Sequence, residues 1–478
     1  MENRVDINDE EEVLHIVMFP WLAMGHLIPF LHLSTNLATK GHRISFISTA
    51  GNLRRLPQIP PHLSPLITFI PLPFPSIPNL PPNAESSMDA PHHQAQLLKI
   101  AFDFLKQPLS DFLEKISPNP DWIIYDYASH WLPGLAAEMG VSCAFFSLFN
   151  AATMVFFGPP AKVLSGDCVR SSAEDFTVVP KWVKMESEIV YRVHELTKYM
   201  EGSEGNQSGT SDLERFAISI DGSDVVLFRT CVEFEPEWFK LICELYNKPV
   251  VPVGFLPPSM VNTKSEDDEK KWIEIKGWLD KHSLNSVVYV ALGTEATLSQ
   301  DELVGLAIGL EQSGLPFFWV LRKPPGSTQN QMELLPCGFL ERVKDRGMIY
   351  LDWAPQVKIL GHSAIGGFLT HCGWNSIIEG LSFGRVLILF PVMNDQGLNA
   401  RLLQGKKLGV EIPRNEQDGS FTSDSVSDSV RLTMVSENGE TLRANAREMK
   451  GLFGDFDINN RYFDNFARYV VENKKKFI

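Results

Sequence analysis

The sequence predicts an α/β fold built as two doubly wound domains, and three observations carry that expectation. The chain has 478 residues, more than one ordinary hydrophobic core organises, so two domains are expected. Both halves alternate short apolar runs with helical stretches, the pattern of parallel strands joined by crossover helices. Between the halves, Phe255-Leu256-Pro257-Pro258 leads into a polar, charged stretch from Asn262 to Lys271, which reads as a linker.

In the first half, Leu14 to Phe19, Arg43 to Ser48, Leu66 to Ile70, Trp122 to Tyr125 and Ser142 to Phe146 read as strands. Helical stretches lie between them near His26 to Thr39, Gln94 to Ile116 and Trp131 to Met139. Residues 201–212 are rich in Gly and Ser and read as a surface loop. In the second half, strands are expected at Val225 to Phe228, Val250 to Val253, Val287 to Leu292 and Pro316 to Leu321. Three more are expected at Met348 to Leu351, Ile365 to Thr370 and Val386 to Phe390. Lys323 to Gln331, with Pro, Gly, Ser and Asn, reads as a second loop. The two halves share architecture, not a sequence repeat. The chain closes on an amphipathic stretch, Arg461 to Val471, whose Tyr462, Phe463, Phe466 and Tyr469 call for burial. The expected domains are therefore 1–254, a linker over 255–271, 272–456, and a closing helix within 457–478.

Apolar residues make up 44% and charged residues 21%, a globular balance. The net charge of −15 argues against nucleic acid or an anionic membrane as partner. It also repels an anionic ligand at long range, so such a ligand would need local donors. No apolar run reaches the roughly 18 residues of a membrane-spanning helix. The acidic start (Glu2, Asp6, Asp9, Glu10, Glu11, Glu12) is unlike a signal peptide. The cysteines Cys143, Cys168, Cys231, Cys243, Cys337 and Cys372 lack paired metal spacing and read as reduced thiols of a cytoplasmic protein. Asn206-Gln207-Ser208 matches a glycosylation acceptor and, without secretion, reads as an ordinary loop.

The most informative stretch runs from Trp353 to Gln396: WAPQVKILGHSAIGGFLTHCGWNSIIEGLSFGRVLILFPVMNDQ. Within it a strand to Thr370 meets a His371-Cys372-Gly373 turn and a helix from Trp374 to Phe383, ending at Gly384. Free N–H groups and the dipole at a helix start attract anions. A diphosphate over Gly373 to Ser376 would therefore need few cationic side chains. Asn375, Ser376 and His371 add donors. Glu379, one turn on, is placed to accept from ribose hydroxyls. Trp353 offers a flat face to a base. Asp395 and Gln396, after the next strand, could grip sugar hydroxyls. A βαβ unit with a glycine turn is common, and the middle segment alone fits ordinary packing as well as a ligand. Trp353, Gln356, His371, Asn375, Ser376, Glu379, Asp395 and Gln396 together favour the ligand.

Two residues of the first half sit at strand ends where ligands of parallel sheets bind. His26 follows the first strand, in Gly25-His26-Leu27-Ile28-Pro29, and Asp126 follows Trp122 to Tyr125. A lone His is more often structural. A carboxylate on one ring nitrogen, however, fixes the tautomer and makes the other nitrogen a base. The pair could take a proton from a hydroxyl nucleophile. Asp121 precedes its strand and lies at the wrong end of the sheet. Gly293-Thr294, after the first strand of the second domain, reads either as a plain turn or as a phosphate contact.

The run from Trp353 to Gln396 resembles the donor-binding motif of plant family 1 UDP-dependent glycosyltransferases. The match covers WAPQ (Trp353, Ala354, Gln356), the His371-Cys372-Gly373-Trp374-Asn375-Ser376 core, Glu379 and the closing Asp395-Gln396. Likeness extends along nearly the whole chain. Val386 stands where the family usually carries Pro, and Gly293-Thr294 where Gly-Ser is commoner. The resemblance implies two facing Rossmann-like domains of the GT-B type with a cleft between them, and a closing helix that returns to the first domain. It implies His26 as base, Asp126 as its orienting partner, and no cofactor or metal. The expected activity is inverting transfer of a sugar from a UDP-sugar co-substrate to a small-molecule hydroxyl, in a monomer. Glucose is the expected sugar, with UDP-rhamnose or UDP-xylose left open. Segments 19–34, 121–133, 287–296 and 395–403 resemble the clade that elongates sugars on flavonoid or terpenoid glycosides. The acceptor would then be small and apolar or already glycosylated, with an aglycone hydroxyl as the alternative. Trp131, Phe149 and Met154 are candidate acceptor contacts. A nicotinamide-dependent oxidoreductase is the competing enzyme class, but neither half has G-x-G-x-x-G after its first strand. An inactive nucleotide-sugar-binding protein is countered by the presence of both His26 and Asp126.

Overall fold

The computed structural model describes residues 12–91, 94–167, 170, 172–202, 207–258, 266–322 and 331–475. All of the expected loop Lys323 to Gln331 except Gln331, residues 259–265 of the expected linker, the acidic residues before Glu12, Asn206 and Cys168 lie outside them.

Among the described residues, two parallel sheets form the frame. The first has seven strands: β1 (His15–Phe19), β2 (Arg43–Thr49), β3 (Ile67–Leu72), β4 (Trp122–Tyr125), β5 (Ser142–Ser147), β6 (Val225–Phe228) and β7 (Val250–Pro252), in the order β3-β2-β1-β4-β5-β6-β7. The second has six: β8 (Val287–Ala291), β9 (Phe317–Val320), β10 (Gly347–Tyr350), β11 (Ile365–Thr370), β12 (Val386–Leu389) and β13 (Gly409–Glu411), in the order β10-β9-β8-β11-β12-β13. Every pairing is parallel. Such sheets carry helices on both faces, and β1, β4, β5, β6, β8, β9 and β12 are accordingly buried along their whole length.

Strand order reverses once in each sheet, between β1 and β4 and between β8 and β11. Adjacent strands whose crossovers run in opposite directions leave a crevice at their carboxyl ends, where ligands of such folds bind. Both candidate pairs of residues fall at these crevices.

The last helix, Phe456–Glu472, belongs to the first sheet. Its Phe463, Phe466 and Val470 pack with Leu14, Ile16, Trp122 and Ile124. The Trp122 indole N–H donates to the Val470 carbonyl at 2.9 Å.

The structure differs from the expected elements in several places. Glu266 to Lys271, read as linker, opens the helix Glu266–Leu279. Gln94 to Ile116 is two helices, Ala95–Asp103 and Lys106–Leu113. Pro108 has no N–H to give the preceding turn, so it is accommodated in the first turn of a new helix. β13 has no counterpart in the sequence reading, because three residues are too few to display a period. No helix among the described residues is long and apolar enough to cross a membrane.

Candidate active site

At the first crevice His26 stands in the opening turn of the helix Met24–Thr39, and Asp126 follows β4. Because β1 and β4 are hydrogen-bonded neighbours with Phe19 opposite Tyr125, the two side chains meet. His26 Nδ1 lies 2.7 Å from Asp126 Oδ2. The same oxygen accepts from the Trp21 N–H at 2.8 Å, and Oδ1 from the Ala128 N–H at 3.3 Å. Asp126 is buried and the His26 side chain keeps 16% exposure. An ionised carboxylate holds the proton on Nδ1, which leaves Nε2 as a lone-pair acceptor. Asp121 sits at the opposite end of β4, where it accepts from the His15 N–H and from Lys474.

Aromatic rings flank the imidazole: Tyr127 at 5.8 Å and Phe149 at 6.3 Å between centroids. Phe216 braces both, stacked on Tyr127 at 4.6 Å and edge-on to Phe149 at 5.2 Å. Trp131 leans on Phe19 and Phe102 and donates to Asp103 at 3.2 Å, still half-buried. Met154 is a correction to the expected acceptor surface. It is 1% exposed and enclosed with Phe157, Phe216, Ile220 and Tyr246. The inward face of the helix Ala151–Phe157 claims it for the core.

At the second crevice Gly293 and His371 follow the adjacent strands β8 and β11. A Cβ on Gly293 would stand 2.7 Å from His371 Nε2, and one on Gly373 2.6 Å from the same atom. Both glycines therefore make room for the ring, and Gly293 also needs its left-handed φ of +79°. Burial pushes the His371 imidazole down to about 4, and its Nδ1 has no partner. It is a neutral hydrogen-bonding group, not a cation. Thr294, the residue after Gly293, is half-buried.

Gly373 caps the helix Trp374–Ser382 without a side chain, so the first-turn N–H groups are open to an anion. The Trp374 ring turns away from that site. It is buried among Phe234, Phe255 and Phe453, and its N–H donates to the Arg229 carbonyl at 3.1 Å. Only its backbone is left for a ligand. Gln356 bridges three groups: Nε2 donates to Glu379 Oε2 at 2.6 Å and to Ser376 Oγ at 3.2 Å, and Oε1 accepts from the Tyr289 hydroxyl at 3.2 Å. Burial raises the Glu379 carboxyl, opposed by the Gln356 amide and by Arg229. Trp353 is 57% exposed, a free aromatic face at the rim, while Ala354 is buried.

Asp395 and Gln396 open the helix Gln396–Gly405. Gln396 folds back, its Oε1 accepting from the Val392 and Met393 N–H groups at 2.9 and 3.0 Å. Burial pushes the Asp395 carboxyl up to about 6, while Asn399 and the charge of His26 favour its ionised form.

The two lobes meet where these groups lie. Asn375 Nδ2 donates to the Gly25 carbonyl at 2.7 Å. Arg229, the residue after β6, donates to Asn375 Oδ1, to the Phe255 carbonyl at 2.7 Å and to the Leu256 carbonyl at 3.3 Å. Its guanidinium is buried and lowered to about 10, still charged at neutral pH. The expectation was that a diphosphate over Gly373 to Ser376 would need few cationic side chains; one cation of the first lobe, Arg229, reaches Asn375 at that helix start. Arg229 was absent from the sequence reading, as were Tyr127 and Asn399. The rule that singled out Asp126, a polar residue just past a parallel strand, applies equally to Arg229. Ser87 Oγ adds a further bridge across the lobes, 2.6 Å from Glu295 Oε1.

The family described as UDP-glucoronosyl and UDP-glucosyl transferase matches residues 192–443, and a glycosyltransferase N-terminal domain matches residues 11–163. UDP-glycosyltransferase 91C1 of Arabidopsis thaliana is 57% identical, covering 97% of this chain and 98% of its own. Anthocyanidin-3-O-glucoside rhamnosyltransferase of Petunia hybrida is 33% identical, covering 99% of this chain and 99% of its own. A solved structure of Phytolacca americana UGT2, complexed with UDP-2fluoro-glucose and pterostilbene, superimposes with a TM-score of 0.73 at 25% identity, over 96% of this chain and 100% of that one.

Proposed function

Because this chain belongs to the UDP-glucoronosyl and UDP-glucosyl transferase family, we propose that it moves glucose from UDP-glucose, with inversion, onto a hydroxyl of a sugar already attached to a small apolar molecule. It is a UDP-glycosyltransferase of the two-domain GT-B architecture.

One observation carries it. The Asn375 amide touches the Gly25 carbonyl at 2.7 Å, and His26 is the next residue. The base candidate therefore stands directly against the helix start that suits a diphosphate. In this reading His26 Nε2 takes the proton of the acceptor hydroxyl as that oxygen attacks the anomeric carbon. Asp126 keeps the imidazole in the right tautomer and stabilises its charged form. The bond to the UDP oxygen breaks on the far side, so an α-linked donor yields a β-glycoside. The first-turn amides of Trp374–Ser382, neutral His371, Ser376 and the Gly293-Thr294 turn receive the developing diphosphate charge. Trp353 stacks on the base, Glu379 accepts from ribose, and Asp395 with Gln396 holds the sugar hydroxyls. Tyr127, Phe149 and Trp131 offer the apolar acceptor wall. No cofactor or metal takes part, and the enzyme acts as a cytoplasmic monomer. The free state of Cys143, Cys231, Cys243, Cys337 and Cys372 supports a reducing compartment.

A second reading exchanges the donor for UDP-rhamnose, favoured by the Petunia relative, whose name couples rhamnose transfer to a 3-O-glucoside. Mass spectrometry of reactions pairing UDP-glucose, UDP-rhamnose and UDP-xylose with free aglycones and with their monoglucosides decides both points. Glucose addition to monoglucosides is expected. Turnover of aglycones alone would overturn the acceptor assignment, and turnover with UDP-rhamnose alone the donor assignment.

A further inference from the structure

We propose that Asn399 is the positioning residue that aims the Asp395 carboxylate at the donor sugar and ties that grip to the acceptor lobe. The inference rests on the reading of Asp395 as a sugar contact. Asn399 is fully buried in the helix Gln396–Gly405, one turn after Asp395. All four hydrogen-bonding positions of its amide are used. Nδ2 donates to Asp395 Oδ2 at 2.7 Å and to the Cys372 carbonyl at 3.0 Å. Oδ1 accepts from Asn150 Nδ2 at 2.6 Å and from Thr153 Oγ1 at 3.2 Å. The reversed amide would face its oxygen toward a carboxylate and a carbonyl, so the network admits one orientation.

Each partner belongs to the reacting region. Cys372 lies between His371 and Gly373 in the turn that opens the diphosphate helix. Asn150 caps the helix Ala151–Phe157 by accepting from the Thr153 N–H at 2.9 Å. The Ala151 and Ala152 N–H groups of that helix are anchored on the buried Glu235 at 3.2 and 3.0 Å. Phe149, just before the cap, stands beside His26. One amide thus joins the sugar grip, the phosphate turn and the wall next to the base.

Asn399 also holds the charge on Asp395. Burial favours the protonated acid, a weaker acceptor for sugar hydroxyls than the carboxylate, and the Asn399 N–H opposes that. The other ionisable groups nearby are His26 across the cleft, Tyr191, and the Arg401–Glu195 pair, closed at 2.7 Å. Removing the amide leaves the first and largest influence, burial, less opposed.

The test compares the affinities of UDP-glucose and of UDP for the wild type, Asn399→Ala, Asn399→Ser and Asp395→Ala, each across pH. Asp395→Ala is expected to weaken UDP-glucose and spare UDP. Both Asn399 variants are expected to weaken UDP-glucose about tenfold, the scale of one hydrogen bond to a charged group, with UDP unchanged as proof of folding. Their UDP-glucose affinity should also begin to fall at a higher pH on acidification than the wild type's. If Asp395→Ala separates the two ligands and neither Asn399 variant does, the positioning role is overturned while the sugar contact stands. If Asp395→Ala fails to separate them, the sugar contact falls and this inference with it. Loss of UDP binding or of folding in both Asn399 variants makes the residue a scaffold part and also overturns the proposal.

Discussion

The side-chain amide of Asn375, on the second lobe, donates to the carbonyl of Gly25, on the first, at 2.7 Å. Nothing is interposed between the helix start suited to a diphosphate and the turn that carries His26. Two crevices, each opened by a reversal of strand order, are brought mouth to mouth. A base anchored in one lobe can then address an anomeric carbon held by the other without any large side-chain excursion.

His26→Ala is expected to reduce transfer by ~10²- to 10⁴-fold, the range of general-base assistance. UDP affinity should persist, because the proposed diphosphate contacts lie mainly on the other lobe and His26 is not among them. Isothermal titration with UDP alongside turnover assays checks both halves. Wild-type turnover in this variant would remove His26 from the chemistry.

Asp126→Asn should be milder in rate and costly in stability. The carboxylate accepts from His26, Trp21 and Ala128 while buried. An amide keeps one acceptor oxygen and brings a donor toward groups that already donate, and an unsatisfied buried group costs ~1–3 kcal/mol. A lower kcat together with a lower melting temperature is expected. An unchanged kcat would detach Asp126 from the base.

Much of this site was legible in the sequence because strand ends are. His26, Asp126, Gly293 and His371 each follow an apolar run, and parallel sheets gather such positions at one edge. Arg229 obeys the same rule, yet its meaning depends on the Phe255 and Leu256 carbonyls and on Asn375, which only the folded chain brings together. Trp374 and Met154 were placed by position along the chain, whereas the direction of a side chain is set by which helix face meets the core. Pro108 divides the run from Gln94 to Ile116 because it has no N–H for the preceding turn.

Replacing the two glycines around His371 separates strain from collision. Gly293 has φ +79°, so Ala there costs ~1–2 kcal/mol of backbone strain besides meeting the ring. Gly373 has an ordinary φ of −64°, so Ala there meets only the ring, 2.6 Å from Nε2. Both variants should raise the KM for UDP-glucose, with the melting temperature falling further for Gly293→Ala. If Gly373→Ala binds the donor as the wild type does, the His371 ring is free to shift and contributes nothing by its position.

Arg229→Met is the sharpest probe of the contact between lobes. Methionine fills similar apolar space but abandons three acceptors: the Phe255 carbonyl, the Leu256 carbonyl and Asn375 Oδ1. Each buried acceptor left bare costs ~1–3 kcal/mol. The charge lost is one that burial already disfavours, as its lowering to about 10 indicates, and removing it returns part of that cost. Stability should therefore drop by less than the sum of three bonds. Donor binding should suffer more, since Asn375 loses its restraint and the helix start proposed for the diphosphate loses the positive charge bonded to Asn375. Thermal melting with and without UDP measures the two effects together: the stabilisation added by UDP should shrink. An equal UDP-induced rise in wild type and variant would mean that Arg229 fastens the linker turn and has no part in holding the nucleotide.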